Sequence, residues 1–234
     1  MKIVSLSKQF SDLKVLDRFS LELPDRGIVA LMGPSGSGKT TLLSIISGAL
    51  PADSGIVEKR GNCSAVFQED RLLPWINVLE NVEIVLDKKC QGKGIGLKLL
   101  DEIGLSGTES QSIQSLSGGM QRRVSICRAL AYDAPLLLMD EPFKGLDTTI
   151  KKQVMDVMAR HSRARLVLLV THDLQETLYL ADELYILEGP PLRIKKHCSI
   201  PEPQNERGED FYLKYQNLMI DLKNHRKSSL IKSK

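Results

Sequence analysis

The chain is short of several things. It carries four cysteines and one tryptophan in 234 residues, and aromatic residues make up only 5% of it. Cys63, Cys90, Cys127 and Cys198 lie far apart and form no CxxC pair, which speaks against a zinc module or a disulfide framework. Cys63 and Cys127 fall inside apolar runs and are expected to be buried free thiols in a reducing compartment. Long apolar runs are missing too. "LVLLV" is about a quarter of the ~20 residues a membrane span needs, so no span is expected. The opening "MKIVSLSKQF" has no apolar core after its charge, so no signal peptide is expected. An excess of one charge is also lacking: the net charge is +3, which gives no reason to expect a nucleic-acid partner. Lys and Arg do gather in the closing "KNHRKSSLIKSK", read either as a solvated tail or as a contact for anionic headgroups. There is no internal repeat and no heptad run.

What remains is an ordinary globular composition, 42% hydrophobic and 26% charged. Residues 1 to 32 read as strands: "KIVSLS" and "FSLEL" alternate, and "GIVALMG" is an apolar strand running into glycine. A helix is expected from Lys39 to Gly48, ended by "PADSG", followed by a short strand in "CSAVFQ". Two helical stretches follow between Val78 and Leu105, parted by "CQGKGIG", and then a polar loop from Ser106 to Ser115. The helix "GGMQRRVSICRALAYD", the buried strand "PLLLMDEP" and the helix "TTIKKQVMDVMARHS" come next. "ARLVLLVTHD" reads as a second buried strand, "LQETLYLAD" as a helix, and "ELYILEG" with "LRIKK" as a hairpin. A short helix is expected in "EDFYLKYQNLMIDLKN". Apolar strands alternating with helices predict an α/β fold, a mostly parallel sheet flanked by helices. The alternating N-terminal strands predict an antiparallel β-subdomain, and about residues 70–125 a helical subdomain. The main domain spans 1–200, and 201–234 is a polar, basic tail.

"GPSGSGKT" fits the phosphate loop G-x-x-x-x-G-K-[ST], with a strand before it and a helix after it. Gly33, Pro34, Ser35, Gly36, Ser37, Gly38, Lys39, Thr40 and Thr41 are the expected phosphate-binding residues. Glycines let successive N–H groups turn inward at phosphate oxygens. Lys39 is expected on the β and γ phosphates, and the Thr40 hydroxyl on Mg²⁺. Asp140, ending the buried strand "PLLLMD", is the second metal candidate, expected to hold Mg²⁺ through water. Glu141 should point elsewhere by strand alternation and orient an attacking water. His172 ends "VLLVTH" and could contact the γ-phosphate or fix that water. Gln68, at the end of "AVFQ", could ligate Mg²⁺ or bond the water.

In this order, "GPSGSGKT", Gln68, "LSGGMQRR", "LLLMDEP", "GLD" and His172 resemble the nucleotide-binding subunit of ATP-binding cassette (ABC) transporters, over about residues 2–195. The "LSGG" piece is highly specific for that family among phosphate-loop proteins. The resemblance implies ATP and Mg²⁺ as ligands. It implies a head-to-tail ATPase dimer, of like chains or with a paralogue, each ATP held between one phosphate loop and the partner's LSGG helix start. It assigns Ser117, Gly118 and Gly119 to the γ-phosphate of the partner's ATP, Asp147 to the dimer interface and Phe10 to the adenine ring. A glycine-bearing helix N-terminus suits close approach to a phosphate.

"VFQEDRLLPWINVLENV" is similar to ATPases of bacterial importers for nitrate, sulfonates, taurine and related solutes. That likeness implies a membrane permease docking at Leu72, Leu73, Pro74 and Trp75, a solute-binding protein acting indirectly, and a place on the cytoplasmic face of the membrane. The chain departs from the pattern between "NVLENV" and "LSGG", which is short and glycine-interrupted, and in "SIQSL", which lacks a proline. A soluble cassette ATPase acting on nucleic acid is the alternative. It would ordinarily bring coiled-coil, zinc or second-cassette insertions, and the sequence has none. An adenylate-type kinase gives LSGG no task.

Overall fold

The structure, a computed structural model, describes residues 1–215. Strands β1 (Lys2–Phe10), β2 (Leu13–Glu22) and β4 (Ser54–Glu58) make a small antiparallel sheet in the order β2-β1-β4. Between them in sequence lies β3 (Gly27–Met32), which joins β5 (Cys63–Val66), β6 (Leu136–Asp140), β7 (Leu166–Val170), β8 (Glu183–Glu188) and β9 (Arg193–Ser199). This larger sheet has the order β5-β6-β7-β3-β8-β9 and is parallel except for the β8–β9 pair. The helices are α1 (Lys39–Ser47), α2 (Val78–Glu83), α3 (Ile95–Glu102), α4 (Gly118–Ala131), α5 (Thr148–His161), α6 (Leu174–Leu180) and α7 (Glu209–Lys214). The expected α/β fold, with its antiparallel annex and helical region, is the one observed.

The patterning of the two sheets explains their difference. All five residues of β6 and all five of β7 are buried, because helices cover one face and the small sheet with α1 covers the other. Leu137, Met139, Val167 and Leu169 pack toward α4 and α5. Their neighbours Leu136, Leu138, Leu166 and Leu168 pack toward Leu42, Leu43 and Ile46 of α1 and Ile3, Leu16 and Phe19 of the small sheet. Each such side chain is worth about 1.5–3 kcal/mol of burial, so continuous apolar runs were selected where both faces are dry. β1 and β2 face a core on one side only, and bulges interrupt their alternation: Ile3 and Leu6 are both buried, with Ser5 at φ of 50° between them. A third cluster seats α6 and α7 against β8 through Leu178, Leu184, Ile186 and Phe211.

The helical region is held by a few polar devices. Asn77 caps α2 in a reciprocal box with Glu80, both bonds at 2.8 Å. Fully buried Asn81 donates to the carbonyls of Leu73, Ile76 and Asn77 and accepts from the Leu73 N–H at 2.8 Å, which fixes the loop before α2. α3 crosses α2 at Gly96, where a Cβ would stand 2.8 Å from Leu79 Cδ1. The break between the two helices opens at Ile84, earlier than "CQGKGIG", and α3 takes in the last two residues of that stretch.

Some features differ from expectation. β4 was not anticipated: only Val57 of its five residues is even half-buried, so it carries no alternation and exists by pairing with β1. β9 runs on to Ser199, beyond "LRIKK". β5 and β7 end at Val66 and Val170, two residues before Gln68 and His172. Cys63 is half-buried, not buried, because β5 is an edge strand; Cys127 is buried, and desolvation pushes its thiol far above the ordinary range. α7 is the start of the expected tail helix. The rest of that helix and "KNHRKSSLIKSK" lie outside the described residues. Among the described residues no helix is long and apolar enough to cross a membrane.

Candidate functional site

Strand register builds the site. Val66 pairs with Met139, Asp140 with Val170, and Leu31 with Val170, so β5, β6, β7 and β3 finish level. Their carboxyl ends therefore deliver Gln68, the Asp140–Glu141 pair, His172 and the loop Gly33–Thr40 to one edge of the sheet.

The loop is wedged at its ends and open at its crest. A Cβ on Gly33 would meet the Leu187 carbonyl oxygen at 2.4 Å. At Gly38, which has φ of 105°, it would meet Val15 Cγ1 at 2.7 Å. Only glycine fits both places. Pro34, Ser35, Gly36 and Thr40 are exposed, Thr41 is half-buried, and Ser37 and Lys39 are buried. Gly38 precedes α1, so the cationic end of that helix lies under the crest. The Lys39 ammonium donates to the carbonyls of Pro34 at 2.6 Å and Gly33 at 3.0 Å and to Ser37 Oγ at 3.2 Å. Burial pulls its pKa below the ordinary lysine value, against the opposing charges of Glu141 and Asp140.

Asp140 is 1% exposed. Its Oδ2 accepts from the Thr40 hydroxyl at 2.6 Å, while Oδ1 is buried without a hydrogen-bond partner among the described residues. Burial pushes this carboxyl above the ordinary aspartate range, the Thr40 bond opposing. Glu141 diverges from Asp140, as expected, but the strand pleat is not the cause. It stands one residue past β6 with φ of 51°, a left-handed turn held by its N–H donating to the Val170 carbonyl at 2.8 Å. Its carboxylate meets His172 Nδ1 at 2.7 and 2.8 Å. His172 is exposed and Glu141 is not, so the pair has one wet and one sheltered member.

Gln68 is exposed, and its carbonyl accepts from Arg122 Nη2 at 3.0 Å. Arg122 also donates to the Phe67 carbonyl at 2.6 Å and pairs with Asp70 at 3.0 Å, and Arg128 donates to the Asp70 carbonyl at 2.9 Å. Both arginines belong to α4. Nothing in the sequence singles them out, because contacts more than fifty residues away leave no local pattern. Lys151, Thr171 and Glu176 carry no motif of their own either; Lys151 meets Glu176 from 25 positions away.

Ser117 caps α4, its Oγ accepting from the Met120 N–H at 3.3 Å. Among the described residues, nothing beyond its chain neighbours and its own helix backbone lies within 4 Å of where a Cβ on Gly118 would stand. Gly119 faces the Gly145 carbonyl and Leu146, each 3.6 Å from such a Cβ, so the LSGG and GLD segments are neighbours. Asp147 caps α5 by accepting from the Ile150 N–H at 3.0 Å. Phe10 ends β1 with 44% of its surface exposed and Lys8 Nζ 5.5 Å from its ring centre. In the loop before α2, Leu72 and Leu73 are half-buried, Pro74 is exposed and Trp75 is 76% exposed.

A glycine loop over a helix start, an acidic pair at the end of β6 and a mostly parallel sheet define a phosphate-loop NTPase. Within that class, the model of the family described as "ABC transporter" matches residues 16–144. The aliphatic sulfonates import ATP-binding protein SsuB 1 of Nocardia farcinica is 40% identical over 92% of this chain and 89% of its own length. The taurine import ATP-binding protein TauB of Yersinia pestis is 36% identical over 86% of this chain and 84% of its own. A solved dimeric ATP-binding cassette in a post-hydrolysis state, bound to ADP and Pi, superimposes with a TM-score of 0.75 at 25% identity, covering 86% of this chain and 99% of that one. The chain belongs to the ABC transporter family and is an ATPase using ATP and Mg²⁺. The residues fit that metal: the orphaned Asp140 Oδ1 and the Thr40 hydroxyl offer two hard oxygens side by side.

Proposed function

We propose that this chain is the energy-coupling ATPase of a bacterial importer for a small sulfonate-like solute such as taurine or an alkanesulfonate. It works as a head-to-tail dimer, of like chains or with a paralogue, on the cytoplasmic face of a membrane permease that a solute-binding protein feeds. Residues 1–200 form the ATPase domain, about 70–125 its helical subdomain, and 201–234 an appended tail. The observation that carries the reading is the Glu141–His172 contact beside the Asp140–Thr40 pair, at the edge where the phosphate loop opens.

In this reading Phe10 stacks on adenine, and the N–H groups of Gly33 and of Ser35 to Thr41 hold the phosphates. Lys39 exchanges its loop carbonyls for β and γ oxygens. Thr40, Asp140 and Gln68 would hold Mg²⁺, which would supply positive charge to the transferred group. Glu141 accepts a hydrogen bond from the attacking water and so orients it. His172, fixed by Glu141, turns its other ring nitrogen to the γ-phosphate. The partner's Ser117, Gly118 and Gly119 close over the same phosphate, with Asp147 at the seam. Leu72, Leu73, Pro74 and Trp75 receive the permease, an exposed apolar group being suited to protein contact.

The test is reconstitution. The chain, co-expressed with the permease of a sulfonate importer, should drive ATP-dependent uptake of labelled taurine or alkanesulfonate into vesicles. Turnover that rises on adding DNA or RNA, with no dependence on a permease, would overturn the reading.

A further inference from the structure

Lys151 lies one turn into α5, its N–H donating to the Asp147 carbonyl at 2.8 Å. Its ammonium leaves that helix for two carboxylates of the segment after β7, 2.7 Å from Glu176 Oε1 and 3.2 Å from Asp173 Oδ2. The other Glu176 oxygen accepts from the Thr171 hydroxyl at 2.5 Å, and the Asp173 N–H donates to Thr171 Oγ1 at 3.0 Å. Asp173 also caps α6, accepting from the N–H groups of Gln175 and Glu176. Both chain neighbours of His172 are therefore held from behind by one cation rooted in α5. Thr171 is fully buried and Glu176 is 5% exposed, so this is an interior network beneath an exposed histidine. Burial pushes the Glu176 carboxyl above its ordinary range, and the bonds from Lys151 and Thr171 oppose that shift.

We infer that Lys151 is a positioning residue that sets the backbone of His172 according to where the Gly145–Asp147 segment sits. The inference rests on the reading of Glu141 and His172 as the hydrolytic pair and of Asp147 as an interface residue. Gly145 and Leu146 lie against Gly119, and Asp147 caps the helix that bears Lys151. A partner chain pressing on that segment acts on the first turn of α5. Lys151 passes the displacement to Asp173 and Glu176, and these to Thr171 and His172. Closure of two chains and alignment of His172 with Glu141 are then one event.

The test uses the full chain with Mg²⁺ and ATP. Lys151→Met should lower kcat about tenfold or more with KM for ATP within about twofold, and Lys151→Arg should restore most of the loss. The His172 ring-nitrogen NMR signals, assigned with His172→Ala, should move in Lys151→Met and return in Lys151→Arg. A kcat equal to the parent's, or a lowered kcat with unmoved His172 signals, overturns the inference. Undiminished turnover in His172→Ala instead overturns the site reading on which it rests. If Lys151→Met fails to fold, Glu176→Gln, which keeps an acceptor for Thr171, must give the same pairing of kinetic loss and His172 shift.

Discussion

Thr40 and Asp140 stand a hundred positions apart in the chain and meet at 2.6 Å, hydroxyl to carboxylate, beneath the opening of the phosphate loop. One Asp140 oxygen is thereby satisfied and the other is left buried without a hydrogen-bond partner among the described residues. Burial holds this carboxyl above its ordinary value of 3.8. A raised folded pKa stabilises the fold fully below the unfolded value, and that contribution is lost as pH climbs through the folded one. Without nucleotide, Asp140→Asn should therefore melt no lower than the parent at neutral pH, and its advantage should shrink toward pH ~4. Mg²⁺ with ATP should raise the melting temperature of the parent far more than that of the variant. Thermal melts across pH check both, and a variant less stable than the parent at neutral pH contradicts the account.

Glu141→Gln removes the charge that faces His172 and leaves the attacking water only a neutral amide oxygen in place of a carboxylate. Turnover should fall at least about a hundredfold with ATP binding retained. Because ATP then persists, dimers should accumulate on a sizing column. Hydrolysis at the parent rate would remove Glu141 from its assigned task.

Ser117→Arg places a long cation at an exposed helix start and leaves the phosphate loop untouched. A fluorescent ATP analogue should bind with affinity within about threefold of the parent, while dimer formation and hydrolysis disappear. Normal hydrolysis by this variant would mean that the segment does not serve another chain's nucleotide.

Arg122→Leu strands the Phe67 and Gln68 carbonyls and the Asp70 carboxylate, which the guanidinium now joins to α4. The loss should be about 2–4 kcal/mol in denaturant unfolding. A change below about 0.5 kcal/mol, the scale of an ordinary surface substitution, would show that the contact holds nothing.

Trp75→Ala should alter stability by less than about 0.5 kcal/mol, since the ring is already mostly in solvent. Hydrolysis by the isolated chain should be unchanged, and uptake through the permease should be lost. Full uptake by this variant would move the docking surface elsewhere.

Much of this architecture is local in origin and so was readable. The apolar runs of β6 and β7 announce strands dry on both faces, and "GPSGSGKT" states its own turn chemistry. The positions of Asp140, Glu141 and His172 follow once the strands are placed in a parallel sheet. β4 was not readable, because its residues are exposed and only β1 makes it a strand. Nor was the left-handed turn at Glu141, a residue type that seldom adopts one. The grips of Arg122 on Gln68 and of Lys151 on Glu176 span 54 and 25 positions, distances over which no periodicity records a contact.

The open space around Gly118 has a consequence for the rate law. If only another chain's nucleotide fills it, hydrolysis is second order in the chain itself. Specific activity then climbs with protein concentration and fades on dilution. A permease that seats two copies side by side would raise their effective concentration to the millimolar range without any added contact between them. Free copies would idle, and ATP would be spent chiefly where a transport path exists to use it.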